Sequence, residues 1–336
     1  MKRERYLWID WMKVLAMYLI IAGHLGVPGN QFIYVFSVPS FFILSGFLFK
    51  KESWKSFFQK SFWNLFIPMI ILLFINVLYK TIIHGWGIIP VVKVILRSLV
   101  GYQGENYAYG GLGALWFVYS LLACRLLMQL ICSLPAAHHH RVILVLINVL
   151  FLFICILYNR SKVTAHLQFN SIINILLAFP FFTIGNLFSS IKEAICSFPI
   201  NIRSTFLFLL SLLLVVLCGK VNGMVYLYMC SYGHHLSLCL LGGIAGSFCL
   251  FFLSRLFEKY IGGGKAIESL GQGTIIILGL HVLLMSLLST PWAQLFGTKE
   301  GADLYLFSFI LLLIFIPINS FCKKYIPILY GRLRII

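Results

Sequence analysis

"IDWMKVLAMYLIIAGH", Ile9 to His24, is the stretch on which the reading of this chain turns. It is apolar enough to begin a membrane span, yet it holds Asp10, Lys13 and His24. A charged side chain at a span centre costs about 2.5–3.5 kcal/mol on insertion scales, and such residues face a bundle interior or a watery cavity. At 3.6 residues per turn, Lys13 and His24 differ by about 20° in azimuth, and Asp10 lies within about 60° of both. Met17 shares their stripe. One stripe predicts one cavity. The eleven-residue separation also rises about 16 Å, so Lys13 and His24 serve different ends of it.

The rest of the chain supports a span here. Its 336 residues are 61% hydrophobic and 10% charged, with mean hydropathy +0.97. Long apolar runs recur from end to end, the mark of a polytopic membrane protein. The start "MKRERYLWID" imitates a signal peptide, but Asp10 and Lys13 interrupt its apolar region and no small-residue cleavage site follows. A retained first span is expected.

With about 20 apolar residues per span, ten are predicted. They lie at roughly 8–26, 31–49, 62–83, 112–133, 142–158, 168–188, 203–218, 236–256, 272–290 and 303–322. Residues 86–100 form an amphipathic segment suited to the membrane interface. The expected fold is all-α, a single integral membrane domain over residues 1–336, with no repeat relating its halves.

The net charge of +17 needs no nucleic-acid partner, because loops on the cytoplasmic side collect Lys and Arg. With a cytoplasmic N-terminus, 17 basic residues fall on the inner side. Six fall outside: Lys93, Arg97, Arg160, Lys162, Lys220 and Lys299. Lys13, Lys80 and Arg125 lie within spans. Both termini are therefore expected inside. The nine cysteines show no paired spacing, so neither a disulfide framework nor a zinc site is indicated. No metal is expected.

His24 is the candidate base, since an imidazole of ordinary pKa about 6.5 suits proton transfer near neutrality. A structural histidine near a helix end is the alternative. For Asp10 and Lys13 the alternative is an i,i+3 ion pair reaching to the interface. The triplet His138–His140 reads as a solvated loop, and His234 and His235 have no acidic neighbour in sequence. Trp116 suits either stacking on a flat ligand or anchoring at the interface.

The second span carries "FSVPSFFILSGFLFKK", Phe36 to Lys51, in which Ser45-Gly46 would admit another helix closely. An Asp-x-x-Lys helix ending in His, followed by Phe-Phe-x-x-Ser-Gly-Phe running into basic residues, resembles the membrane-bound acyltransferase 3 family. The chain looks closest to sugar O-acetyltransferases of the fucose 4-O-acetylase kind. Further matches are "FFQKSFWNLFIP" (Phe57–Pro68), "GALWFVYSLL" (Gly113–Leu122), "FFTIGNLF" (Phe181–Phe188) and "SLGQGTIIILGLH" (Ser269–His281).

The resemblance implies a membrane enzyme that moves an acyl group, most simply acetyl, from acetyl-CoA to a sugar hydroxyl. The acceptor would belong to a surface glycan or a lipid-linked precursor, and the enzyme to a bacterial inner membrane. It implies His24 as the catalytic residue and Asp10, Lys13, Ser45, Trp116 and His281 as substrate-binding positions. Lys13 and Lys60 would hold the donor's phosphates. Lys13 stands where Arg is commoner, and Ser61 and Asn64 stand where many members carry two basic residues. Membrane lipid and a carbohydrate acceptor are the remaining partners expected. An acyl-histidine intermediate is the alternative to direct transfer. A flippase of lipid-linked glycans, or transfer of another acyl group such as succinyl, are the alternatives for the whole protein.

Overall fold

Among the described residues, ten helices are long and apolar enough to cross a membrane. The structure, a computed structural model, describes residues 6–101, 112–135, 140–161, 170–297 and 301–331, without the side chains of Arg160 and Ser161. Lys2, Arg3, Arg5, Lys162, Lys299, Arg332 and Arg334 fall outside these, as do His138 and His139.

The chain opens with α1 (Leu7–Leu25) and α2 (Asn30–Phe47). α3 (Trp54–Ser61), a π-helical turn (Phe62–Phe66) and α4 (Ile67–His84) then run on as one span. α5 (Ile88–Leu99) follows, then α6 (Trp116–Ser133), α7 (His140–Ser161) and α8 (Asn170–Phe188). A short α9 (Lys192–Cys196) precedes α10 (Ile202–Asn222) and α11 (Leu236–Tyr260). α12 (Lys265–Gln272), α13 (Thr274–Phe296) and α14 (Asp303–Tyr325) complete the helices. An isolated bridge between Tyr226 and Ser231 is present, and no strand occurs among the described residues.

The predicted spans thus reappear, with the third and the sixth extended; the sixth continues to Cys196. The third is longer than its apolar core, because the polar segment from Trp54 continues it as helix. α5, with twelve residues, is too short to cross, and it exposes Ile88, Ile89, Val92, Leu96 and Leu99. α7 and α10 show broad apolar faces, among them Val145, Leu146, Val149, Phe206 and Leu213. Such a belt is what contact with lipid requires.

Between helices in lipid, close packing rather than water expulsion supplies the attraction, so small residues mark the tight crossings. α2 crosses α8 through Gly46 and Gly185. A Cβ on Gly46 would overlap the Phe182 carbonyl oxygen, and one on Gly185 would overlap that of Ile43. The two backbones touch. Nearer the start of α2, Gly242, Gly243 and Gly246 of α11 receive Val35, Pro39 and Phe36, and Phe181 of α8 also packs on Gly243. α1 lies against this core, and its turn into α2 uses Gly26 (φ 74°) and Gly29 (φ 77°), both left-handed.

We call the side on which α1 begins the near face. There Trp11 Nε1 donates to the Gly262 carbonyl at 2.7 Å, and the Trp8 amide donates to Glu258. On the far face, residues 223–235 fold back into the bundle, burying Val225, Cys230 and Tyr232 completely. Two asparagines satisfy the backbone of this loop. Asn222 donates to the Tyr232 carbonyl and accepts from the His235 amide, while Asn159 donates to Gly233 and accepts from Tyr232.

Candidate active site

A cavity of about 270 Å³ runs between α1, α2, the π turn, α6 and the α12–α13 junction. From α1 it is lined by Lys13, Met17, Ile20 and His24. These positions recur every three or four residues, so a single helical face supplies a wall about 16 Å long between the Lys13 and His24 levels. Ser45 contributes from α2, and Trp116 and Phe117 from α6. Ser45-Gly46 therefore divides its labour: the glycine makes the α8 crossing while the serine faces the cavity.

Asn64 and Leu65 line the opposite wall, and the π turn puts them there. Its cause lies four residues on. Pro68 has no N–H to donate to the Asn64 carbonyl, and its ring would strike that carbonyl in a regular helix. Widening the turn to π geometry relieves the clash, and such turns recur at functional sites. Gly331 (φ 67°) packs onto the Asn64 side chain, with no room for a Cβ.

The near end of the cavity is polar. Lys13, Asn64 and Gln272 line it, and Gln272 accepts from Lys323 at 3.3 Å while donating to Glu268. Lys60, one turn before Asn64, is directed elsewhere. It forms an ion pair with Glu52 at 2.6 Å and is not part of the cavity wall. Desolvation pushes the Glu52 carboxyl up, but hydrogen bonds from Lys60 and Ser56, with the charges of Lys60 and Arg125, hold it below its ordinary value. Gln129 straps the same residue, accepting from its amide and donating to its carbonyl.

Asp10 is also absent from the wall. It is buried, packed against Gly271 of α12, where a Cβ would come within 2.7 Å of its carboxylate oxygen. Its offset of about 60° from the Lys13–His24 line is enough to turn it toward α12 instead. Trp116 is 7% exposed and lies inside the bundle, so it lines the cavity rather than anchoring at a boundary.

At the far end two histidines meet. The rings of His24 and His281 have centroids 5.0 Å apart with a 36° tilt. His281 is 1% exposed and sits behind His24 rather than on the wall. Tyr34 is the next ring, 6.4 Å from His24, and its hydroxyl donates to the Gly23 carbonyl. Of the other histidines, His140 reaches the Leu134 carbonyl, and the His234 amide is held by Asn222. Among the described residues no cluster of three or more His, Cys, Asp or Glu could hold a metal ion.

An imidazole thus faces one end of the cavity, and a lysine with polar neighbours lines the other. Residues 6–320 match the sequence model of the acyltransferase 3 family, described as an acyltransferase domain. The chain belongs to the acyltransferase 3 family. No curated protein and no solved structure matches it. It is thus a membrane acyltransferase, and the match takes in α1 to α13 and most of α14. In this acyltransferase the sequence had not pointed to Gln272, Thr274 or Phe117 as wall residues. The glycines flanking Gln272, which let α12 approach Asp10 and α13 approach Asn319, are the signal that was there to find.

Proposed function

We propose that this acyltransferase moves an acetyl group from acetyl-CoA to a sugar hydroxyl of a surface glycan or lipid-linked precursor, in a bacterial inner membrane. One observation carries the reading: Lys13 and His24 stand at the two ends of one cavity wall. The near face is cytoplasmic, where CoA is found. Lys13 and the Lys323–Gln272 pair meet the donor's phosphates at the mouth. The flexible pantetheine arm spans the depth of the cavity and brings the thioester to His24. There His24 takes the proton of the sugar hydroxyl as its oxygen attacks the thioester carbonyl, and CoA leaves as the thiol. Trp116 offers a flat face to the acceptor or the arm.

The test is a His24→Gln substitution, which keeps a polar side chain of similar reach and removes the base. Turnover by purified protein should fall about 10²–10⁴-fold. Acetyl-CoA affinity should hold, because the phosphates bind about 16 Å away. Transfer at the wild-type rate per folded molecule would overturn the assignment. Mass spectrometry of the glycan from a deletion strain tests the reaction itself. A missing acetyl mass supports it, and an unmodified glycan retained at the inner face would indicate a flippase.

A further inference from the structure

His281 is the second histidine of the site, and its hydrogen bonds fix its tautomer. Its Nδ1 lies 3.0 Å from the Ile277 carbonyl oxygen and 2.9 Å from that of Leu278. A carbonyl only accepts, so Nδ1 carries the proton and donates. In the neutral ring Nε2 then bears a lone pair. That nitrogen is completely buried and has no hydrogen-bond partner. A buried acceptor left unmatched costs about 1–3 kcal/mol, so its retention calls for a function.

The nearest ring is His24, with centroids 5.0 Å apart. Two imidazoles joined edge to edge by an N–H···N bond of about 2.9 Å have centroids roughly 5 Å apart, whereas stacked rings approach more closely. The pair therefore has the separation of a bonded pair without its alignment, as catalytic hydrogen bonds often do before substrate binds. Tyr34, the other ring beside His24, already donates its hydroxyl to Gly23.

We propose that His281 is the positioning residue for His24. Its Nε2 lone pair receives one ring N–H of His24 and leaves the other nitrogen of His24 facing the cavity as the base. When His24 takes the hydroxyl proton, its second N–H stays on His281, which fills the part a carboxylate plays in a serine–histidine–aspartate triad. The proton then passes from His24 to the departing thiolate, and His281 keeps its own proton on Nδ1 throughout. This assignment rests on the proposed acyl transfer for its catalytic meaning, but the histidine pairing stands apart from it.

Two isosteric variants separate positioning from structure. Asparagine places its amide where Nδ1 lies, so His281→Asn keeps the bond to Ile277 and Leu278 and deletes the Nε2 acceptor. Glutamine reaches the Nε2 position with a carbonyl oxygen and gives up the backbone bond. Positioning predicts that His281→Asn folds with normal thermal stability and loses about tenfold or more in kcat, short of the ~10⁴ seen when a triad carboxylate is replaced. His281→Gln should retain more activity than His281→Asn. A purely structural histidine predicts the reverse order.

The second readout is ¹⁵N NMR of histidine side chains in lipid nanodiscs, with His24 assigned by its loss in His24→Gln. The wild-type spectrum should show one dominant His24 tautomer, and His281→Asn a mixture. This reading needs no turnover, so it tests the pairing even if acetyl transfer is never seen. A His24 tautomer unchanged by His281→Asn, with kcat intact, would overturn the proposal.

Discussion

Replacing Gly46 with alanine would test the frame on which the site is hung. The new Cβ would overlap the Phe182 carbonyl oxygen and sit 3.0 Å from the Asn186 amide nitrogen. From the facing side, a Cβ on Gly185 would stand 2.9 Å from the Ile43 Cα. Carbon atoms in contact prefer about 3.5–4.0 Å, so either alanine forces the helices apart by about 1 Å. A gap of 0.5–1 Å already forfeits a quarter to a half of each dispersion contact along the crossing. Overpacking of this kind typically costs about 1–3 kcal/mol, and a contact made by backbone has no side chain to yield. With about 2–4 °C per kcal/mol, the upper half of that range lowers the melting temperature by roughly 4–12 °C. Turnover should fall as well, because Ser45 moves with its neighbour and lies on the cavity wall. Thermal unfolding in detergent, beside acetyl transfer per folded molecule, measures both. Gly87→Ala is the control, since nothing lies within 4 Å of its Cβ position. If Gly46→Ala melts with the wild type, the helices are not in backbone contact and the reasoning fails.

Lys13→Leu should raise the KM for acetyl-CoA while Lys13→Arg leaves it nearly unchanged, because a cation at the cavity mouth is what the phosphates need; an unaltered donor response in Lys13→Leu would assign the residue to α1 alone. Reporter fusions after Asn30 and after Lys51 should lie on opposite sides of the membrane, the second cytoplasmic. The same side for both would reverse the route drawn for the donor.

The spans were legible because each is a long apolar run, and lipid demands that its backbone hydrogen bonds close within the helix. Lys13, Met17 and His24 were legible as a set because 100° per residue projects them onto one stripe, a property local to α1. Asp10 shows the limit of that projection. The angle gave its direction only to about 60°, and Gly271, 261 positions away, determined what it met. The partnership of His24 with His281 spans 257 residues and depends on the tilt of α13 against α1, which no local pattern encodes. Lys60, which the family resemblance proposes for the donor, is paired with Glu52, folded back across the start of α3, a contact that no local pattern announces. Asn64 was noticed only as a departure from a motif, although "FWNLFIP" carries the proline that turns it inward.

The π turn at Phe62–Phe66 has a consequence for how the third span holds two appointments at once. A π turn carries about one residue more than an α turn, so the helix before it is rotated by about 100° from the phase an unbroken helix would give. Ahead of the turn, Lys60 is in phase with Glu52 and the end of α6. Beyond it, Asn76 is in phase with the Gly279 carbonyl of α13, to which it donates at 2.8 Å. A straight α-helix could keep only one of these two alignments. Deleting Trp63 would straighten the span and leave one end a residue out of step, which makes the length of this segment, and not only its composition, part of what the sequence specifies.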